Sequence, residues 1–466
     1  MRLILLSGGA GKRLWPLSNT NRPKQFLPVL RHEGIPESML QRVCRQLSDA
    51  GLAEALLFSA GLGQKELIQG QVGNLAPILE EPERRDTFPA ISLASAYLHS
   101  KEGCHPDEMV GVMPVDGYAD DSFFQALSKL PGVLERSGAD MALLGVAPDS
   151  PSEKFGYIVL QHPAERDGSC RVHTFAEKPS ALQAQKLIDE GALWNCGVFV
   201  FRLGFMLGEL RKRGLPANYD ELLDMYKLLP SKSFDIEVVE RTNHLVAAPY
   251  QGRWKDIGTW NSLSEEMEEL VSGTGYVCPV SFGSRIINEL DIPVSVWKVP
   301  NIVVAAGPDG ILVTDREAST GIKDMVDQIE ISPRFKETWW GRQTVLTSRQ
   351  ESEIESVTSR IVISEGRFIG YHEHVLRKEI WTVIAGAGEA CIDGQMLPVK
   401  AGTVVIVEPG TKHSLMAHSD LELIESQFGT KILEDSDIIH YAAPWSTEGG
   451  GTSKTNGVEL KPMREK

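Results

Sequence analysis

The chain opens on a short apolar run, Leu3 to Leu6, that breaks at once into glycines. Compact apolar runs then alternate with amphipathic stretches up to about residue 265. Residues 2–6, 55–59 and 109–113 are apolar runs of strand length, whereas 38–50 and 90–100 space their apolar positions as helices do. Short strands alternating with helices predict an α/β domain with a mostly parallel sheet covered on both faces. Ligands in such domains bind beyond the carboxyl ends of the strands. From about 275 to 330 the pattern changes. Residues 294–299, 302–306 and 311–314 are strand-like pieces cut by Pro and Gly, with no helix-length pattern between them. They predict a small linking β segment; a left-handed β-helix-like turn or two is one form it can take, although no fixed-period repeat requires it. After Ser332, strand-like runs at 355–364, 380–385, 389–392, 403–407 and 421–427 are separated by Gly-containing turns. Such spacing predicts a β-sandwich or barrel. The expected organisation is therefore 1–265, a linking segment 266–331, a β domain 332–445, and a mobile tail 446–466 rich in Gly, Ser, Thr and Lys.

Composition narrows the function. The 466 residues are 42% hydrophobic and 24% charged, as in an ordinary globular protein. Lys plus Arg number 47 against 63 Asp plus Glu, a formal net charge of −16. An acidic chain is poorly suited to bulk nucleic acid, which needs a basic face, though a local cationic site can still hold one nucleotide. No apolar run approaches the roughly 18–20 residues of a membrane span, and the first apolar run reads as a buried strand, not a signal-peptide core. Six scattered cysteines without a C-x-x-C pair predict reduced thiols in a cytoplasmic protein.

The most informative stretch is 5–29. A strand runs into Gly8, Gly9 and Gly11, then Lys12 and Arg13. Glycines there let backbone N–H groups approach an anion, and two cations suit a polyphosphate. The spacing is neither a Walker A loop nor a G-x-G-x-x-G fingerprint, since Leu14 stands where the third glycine would be. The longer pattern, Gly8-Gly9-x-Gly11-x-Arg13-Leu14-x-Pro16-Leu17 followed by Arg22-Pro23-Lys24-Gln25-Phe26, closely resembles the signature of sugar-phosphate nucleotidyltransferases. Its Pro-Lys-Gln-Phe form resembles the mannose-1-phosphate guanylyltransferase branch. The resemblance implies a Rossmann-like domain in which Gly8, Gly9, Gly11 and Arg13 hold the nucleoside triphosphate and Lys24 neutralises phosphate at the reacting centre.

Further segments resemble that family in its order along the first ~265 residues. Glu81-Pro82-Glu83-Arg84-Arg85-Asp86-Thr87 is similar to a nucleotide-binding segment at a helix start, implicating Arg85 and Asp86; the familiar form has Gly-Arg-Asn at 84–86. Pro114-x-Asp116 resembles the magnesium-binding aspartate, and Trp254-Lys255-Asp256-Ile257-Gly258 the segment of the second, Asp256. The sugar phosphate is implied at Gly156 and Tyr157, at Glu177 and Lys178, and at Asn195 of Trp194-Asn195-Cys196-Gly197. Two bound aspartates imply Mg²⁺ as cofactor.

The last β region holds a second constellation: Gly366, five residues, His372-x-His374, four residues, Glu379, six residues, Gly386, then Pro409-Gly410-x-x-His413. Histidines two apart on a strand share a face. Three imidazoles and a carboxylate suit Zn²⁺, Fe²⁺, Mn²⁺ or Ni²⁺. The spacing closely resembles the two cupin motifs, implying a jelly roll. The whole chain resembles bifunctional phosphomannose isomerase/guanylyltransferases, whose usual segment reads His-x-His-Arg-x-Glu-x-Trp. Here the stretch between His374 and Glu379 is longer, and no asparagine follows the last histidine at Ala417. The expectation is an intact site for Zn²⁺ or another divalent metal, the extra length absorbed as a bulge or longer turn, and weak or absent isomerase activity because 375–378 replaces a shorter arginine-led loop.

The leading expectation is GMP transfer from GTP to mannose 1-phosphate, with a homodimer left open and neither nucleic acid nor membrane as a partner. A transferase for another hexose 1-phosphate, a second activity as isomerase, and a non-catalytic sugar-nucleotide sensor are the alternatives. Arg13, Lys24, Asp116 and Asp256 argue against the sensor, which has no need of metal carboxylates.

Overall fold

The structure is a computed structural model. It describes residues 1–9, 11–161, 168–329, 332–430, 432 and 437–445, with the side chains of Lys12 and Thr320 excepted. The expected tail, 446–466, lies outside the described residues. The chain divides into two compact units, Met1–Thr344 and Val345–Lys466.

The first unit is built on a nine-stranded sheet. Its order is Ile78–Glu81, Leu56–Gly61, Arg2–Leu6, Met109–Pro114, Leu193–Arg202, Met141–Val146, Leu245–Tyr250, Cys170–Glu177 and Gly156–Leu160. The first four strands are parallel. Leu193–Arg202 then runs antiparallel to both neighbours, and only one further parallel pair follows, Met141–Val146 with Leu245–Tyr250. The sheet is therefore mixed, not mostly parallel. Leu193–Arg202 is largely buried along its length, so its hydrophobic pattern carries no mark of direction.

Period-two alternation supplies two cores. Leu3 and Leu5 face one side with Phe58, Phe124 and Leu127; Ile4 faces the other with Phe88, Ile91, Phe199 and Phe201. Helices start where the sequence provides caps. Ser38 forms a capping box with Gln41 at Met39–Asp49, and the Asp86 carboxylate accepts from the Thr87 amide at Thr87–Ser100. Because the first four strands are parallel, Glu81, the glycine loop after Leu6 and Asp116 after Pro114 all emerge at one carboxyl edge.

The linking segment stacks Val271–Ser272, Arg285–Asn288 and Ile302–Gly307 in parallel, with Gly275–Val277 parallel to Val294–Val296. Ile286, Val296 and Val304 are buried inside these rungs, a solenoid-like arrangement. A helix, Ile322–Gln328, follows, where the sequence reading admitted none. Its seven residues are too few to establish a helical period; Ile322 alone is fully buried, against Leu14, Leu17 and Trp260. Packing groups the segment with the first unit, together with the hairpin strand Phe335–Thr338. There Asn19 donates to the Phe335 carbonyl (3.2 Å) and Arg22 Nε to Glu337 (3.1 Å).

The second unit is an antiparallel jelly roll. One sheet includes Ile354–Ile363, Leu421–Gly429, Arg377–Ala385 and Val404–Val407; the other has Gln395–Lys400, Ala387–Ile392, His413–Ala417, Phe368–His374 and Ile438–His440. Along Arg377–Ala385, Arg377, Glu379, Trp381 and Val383 alternate inward. The added length before Glu379 sits in the exposed turn at Val375 and Leu376 (51% and 44% exposed). A bulge lies on the preceding strand, between Ile369↔Leu415 and His372↔His413. Register is kept, and Arg377, within the segment 375–378, is buried.

Candidate active site and metal centre

At the carboxyl edge, Lys24 is the hub. Its ammonium contacts Asp116 Oδ2 at 2.9 Å and Asp256 Oδ1 at 3.4 Å, and donates to the Ile257 carbonyl at 3.2 Å. Two carboxylates far apart in sequence thus face one buried cation. Burial opposes the charge on Lys24, but the two carboxylates outweigh it and hold the ammonium above its ordinary value. Asp116 and Asp256 meet because Gly117–Ala119 pairs with Trp254–Asp256, with Asp256 opposite Gly117. Two hard oxygen ligands at a point open to substrate phosphates fit Mg²⁺.

The glycine loop lies beside this hub. Gly11 has φ +63°, and a Cβ there would stand 2.7 Å from Lys24 Cβ, so only glycine lets the loop approach Lys24. Gln25 donates to the carbonyls of Ser7 and Gly9, and Ser18 to that of Gly11. The amides of Gly8, Gly9 and Gly11 have no partner among the described residues, which leaves donors for an anion. Arg13, Asp256, Lys154, Phe155, Trp194 and Trp254 line a cleft of about 280 Å³. Phe155 packs against Trp194 and Trp254 (ring centroids 4.7 and 5.6 Å).

Gly156, Glu177, Lys178 and Asn195 form a second cluster. A Cβ on Gly156 would meet Glu177 Oε2 at 2.5 Å and Asn195 Cβ at 3.3 Å. Lys178 Nζ lies 2.8 Å from Glu177 Oε1. Asn195 pairs with Gly145 just before a register shift that runs to Phe199, and its side chain donates to Asp235 Oδ1 at 2.7 Å. Burial first, then the neighbouring Glu177 carboxylate, raises Asp235 to about 7.

Three more residues singled out from the sequence are engaged with other parts of the unit. The Tyr157 ring is buried with Ala184 and Trp194, and its hydroxyl donates to the Ser152 carbonyl; it faces away from Gly156's side of the strand. Arg85 turns to the carbonyls of Lys227 and Leu229. Asp86 caps its helix.

In the second unit the coordinating atoms of His372, His374 and His413 lie within 4.8 Å of one another. Glu379 reaches His374 Nε2 at 3.0 Å and His413 Nε2 at 3.4 Å. His372 Nδ1 donates to the Gly370 carbonyl (2.6 Å) and His413 Nδ1 to that of Thr411 (2.9 Å). A carbonyl only accepts, so each Nδ1 carries the proton and each Nε2 presents a lone pair inward. His413 Nε2 is buried without a hydrogen-bond partner. Burial, reinforced by His413, pushes His372 down to about 4, keeping it neutral at pH 7. Three imidazoles and a buried carboxylate fit a divalent transition metal.

The model of the Nucleotidyl transferase family matches residues 2–273, and that of the Cupin domain residues 359–425. The chain belongs to the nucleotidyl transferase family. It is 29% identical to xanthan biosynthesis protein XanB of Xanthomonas campestris pv. campestris (strain B100), over 94% of this chain and 97% of that one. It is 28% identical to mannose-1-phosphate guanylyltransferase of Escherichia coli (strain K12), with the same shares covered. A Thermus thermophilus structure described as a mannose-1-phosphate geranyltransferase superposes with TM-score 0.61 at 30% identity, covering 71% of this chain and 99% of that one.

Two carboxylates of this nucleotidyl transferase escaped the sequence reading. Asp235 lies on the four-residue helix Phe234–Glu237, too short to register as a pattern. Glu81 was read only as part of its segment. It is buried beside the loop, 3.4 Å from where a Gly8 Cβ would be, and accepts from Tyr226 (2.7 Å) and Ser59 (3.3 Å). No helix among the described residues is long and apolar enough to cross a membrane, and all six cysteines are buried.

Proposed function

We propose that this enzyme transfers GMP from GTP to mannose 1-phosphate, giving GDP-mannose and pyrophosphate. The observation that carries the reading is the Lys24 ammonium held between Asp116 and Asp256, beside a glycine loop with free amides and a cleft reached by Arg13. The similarity to guanylyltransferases over nearly the whole chain supports it. An oxygen of the sugar phosphate attacks the α-phosphorus of GTP, and the bond to the β-phosphate oxygen breaks. Both reactants are anionic, so the cost lies in bringing like charges into line, and positioning with charge neutralisation carries the catalysis. The loop amides of Gly8, Gly9 and Gly11, with Arg13, hold the triphosphate. Lys24 meets the charge that builds at the α-phosphate. Gly156, Glu177 and Asn195 orient the sugar, and Lys178 meets its phosphate. Asp116 and Asp256 would hold Mg²⁺, which supplies charge neutralisation to the phosphates when bound.

The test is pyrophosphate release from GTP with a panel of sugar 1-phosphates, with and without Mg²⁺. Release specific to mannose 1-phosphate and Mg²⁺ is expected. Release with another sugar or nucleotide alone would replace the substrate assignment, and none at all would favour the sensor. A cytoplasmic homodimer belongs to the same reading; sedimentation of the purified chain checks the dimer.

Asp235 belongs with the sugar site, because Asn195 donates to it and Glu177 faces it. Asp235→Asn is expected to raise KM for mannose 1-phosphate about tenfold, the scale of one lost or weakened hydrogen bond to a charged group, with a smaller change in kcat. With Asp235 at about 7, that KM should titrate near neutrality in the wild type and be flat in the variant. An inflection of equal size in both would remove Asp235 from the sugar site.

In the cupin, His372, His374, Glu379 and His413 would hold Zn²⁺ or another divalent ion. Isomerisation of mannose 6-phosphate is weak or absent in this reading. The Arg377 guanidinium inside the barrel is already engaged by Asp437 through Nε (3.2 Å) and Nη2 and is not free for a sugar phosphate. Brisk conversion of mannose 6-phosphate to fructose 6-phosphate by metal-loaded protein would overturn this.

A further inference from the structure

Two of the three cupin histidines have their outer nitrogens fixed by backbone carbonyls; the third does not. His374 Nδ1 is buried and makes no hydrogen bond, and the group that faces it is Asp437, whose Oδ1 lies 3.6 Å away. Asp437 is itself buried. Arg377 grips both its oxygens, Nε to Oδ2 at 3.2 Å and Nη2 to Oδ1, while the Leu376 amide donates to Oδ2 at 3.2 Å. Arg377 Nη1 also approaches Gln427 Oε1 (3.4 Å), and Gln427 Nε2 donates to Glu379 Oε1 at 2.8 Å. Two of the four candidate ligands, His374 and Glu379, are thus tied to one buried guanidinium. Asp437 lies beyond the stretch matched as a Cupin domain and starts the segment in which Ile438–His440 pairs with the histidine strand, His372 opposite His440 and His374 opposite Ile438.

We infer that Asp437 is a positioning residue of the cupin metal centre: it accepts the Nδ1 proton of His374, completes a carboxylate–histidine–metal relay, and is held in place by Arg377. The inference rests on the metal reading of the cupin given above. Its physical basis is general. A carboxylate partner fixes the ring's tautomer and orientation and makes its inner nitrogen a stronger donor, and loss of such partners typically costs 10–100-fold in metal affinity. His374 would then be the strongest of the three imidazole donors, because the other two lean on neutral carbonyls. The approach needed is small: the 3.6 Å separation must close by about half an ångström to reach an ordinary N–H···O contact.

The experiment titrates the full metal-free chain with Zn²⁺ by calorimetry and records the visible spectrum with Co²⁺. Asp437→Asn keeps the shape but weakens the acceptor. Because it leaves Arg377 buried without its counter-charge, a second variant pairs Asp437→Leu with Arg377→Met, since replacing both partners of a buried pair is often tolerated. The expected result is a 10–100-fold rise in the Zn²⁺ Kd in either variant that melts cooperatively, with a shifted Co²⁺ spectrum at saturation. A role confined to packing would move the melting temperature but not the spectrum. Wild-type affinity and spectrum in either folded variant would overturn the inference. If the wild type binds neither ion, the metal reading itself fails and this inference with it; if only the variants match the wild type, the metal reading stands and the inference falls.

Discussion

Replacing Lys24 with methionine is expected to slow pyrophosphate release by about a hundredfold or more, the loss that follows removal of one donor aimed at transition-state charge. Two properties set the size. The ammonium is buried, so its interactions are less screened by water. It also touches Asp116 and Asp256 together, so its loss leaves two carboxylates facing each other. That second consequence separates a catalytic from a merely structural role. Without Mg²⁺ the variant should melt below the wild type, and adding Mg²⁺ should recover more stability in the variant, because the metal then supplies the cation that Lys24 no longer does. Arg13→Ala should cut the rate to a similar degree and leave melting unchanged, since Arg13 lines the cleft and is only half-buried. Wild-type rates in both variants would remove these residues from the reacting centre.

What the sequence could disclose depended on how local the cause was. The loop at Gly8 to Gly11 and its neighbour Lys24 are legible because close backbone approach demands glycine, and the Cβ that would collide with Lys24 is a constraint within sixteen residues of chain. The His372-x-His374 pair is legible for the same reason: period two alone sets both rings on one face. Tyr157 should have been read by that rule as well. Gly156 faces Glu177 and Asn195, so its neighbour on the strand must face the opposite layer, where Tyr157 packs with Trp194 and Ala184. Arg85 was illegible, because apart from Glu83 beside it the partners that turn it are carbonyls at Lys227 and Leu229, more than 140 residues on. Asp437 was illegible in the same way: it reaches His374 only through antiparallel pairing of a strand that follows the cupin motifs. The antiparallel course of Leu193–Arg202 could not be read either, since a strand buried on both faces has the same pattern in either direction.

Removing metal from the second unit should produce the largest stability change. Three buried groups, His374, Glu379 and His413, and the half-buried His372 converge, and a ligand that binds only the folded state stabilises it in proportion to the logarithm of its saturation. At about a thousand times Kd that is roughly 4 kcal/mol. For a domain of this size it corresponds to a shift of about 10 °C or more. Calorimetry of the full chain at pH 7.5 should therefore show one transition lowered by chelation and restored by Zn²⁺, and His413→Ala should abolish the difference. The pH dependence follows from His372, which is held at about 4 against an ordinary 6.5. Below 6.5 the unfolded chain takes up a proton that the folded one refuses. Stability of the metal-free unit is therefore intact above that value and is lost as pH falls toward 4. Protons also compete with the metal for the imidazoles, so the gain from Zn²⁺ should shrink as the solution is acidified. A metal-dependent shift that is equal at pH 7.5 and in acid would mean that the ion binds somewhere other than these histidines.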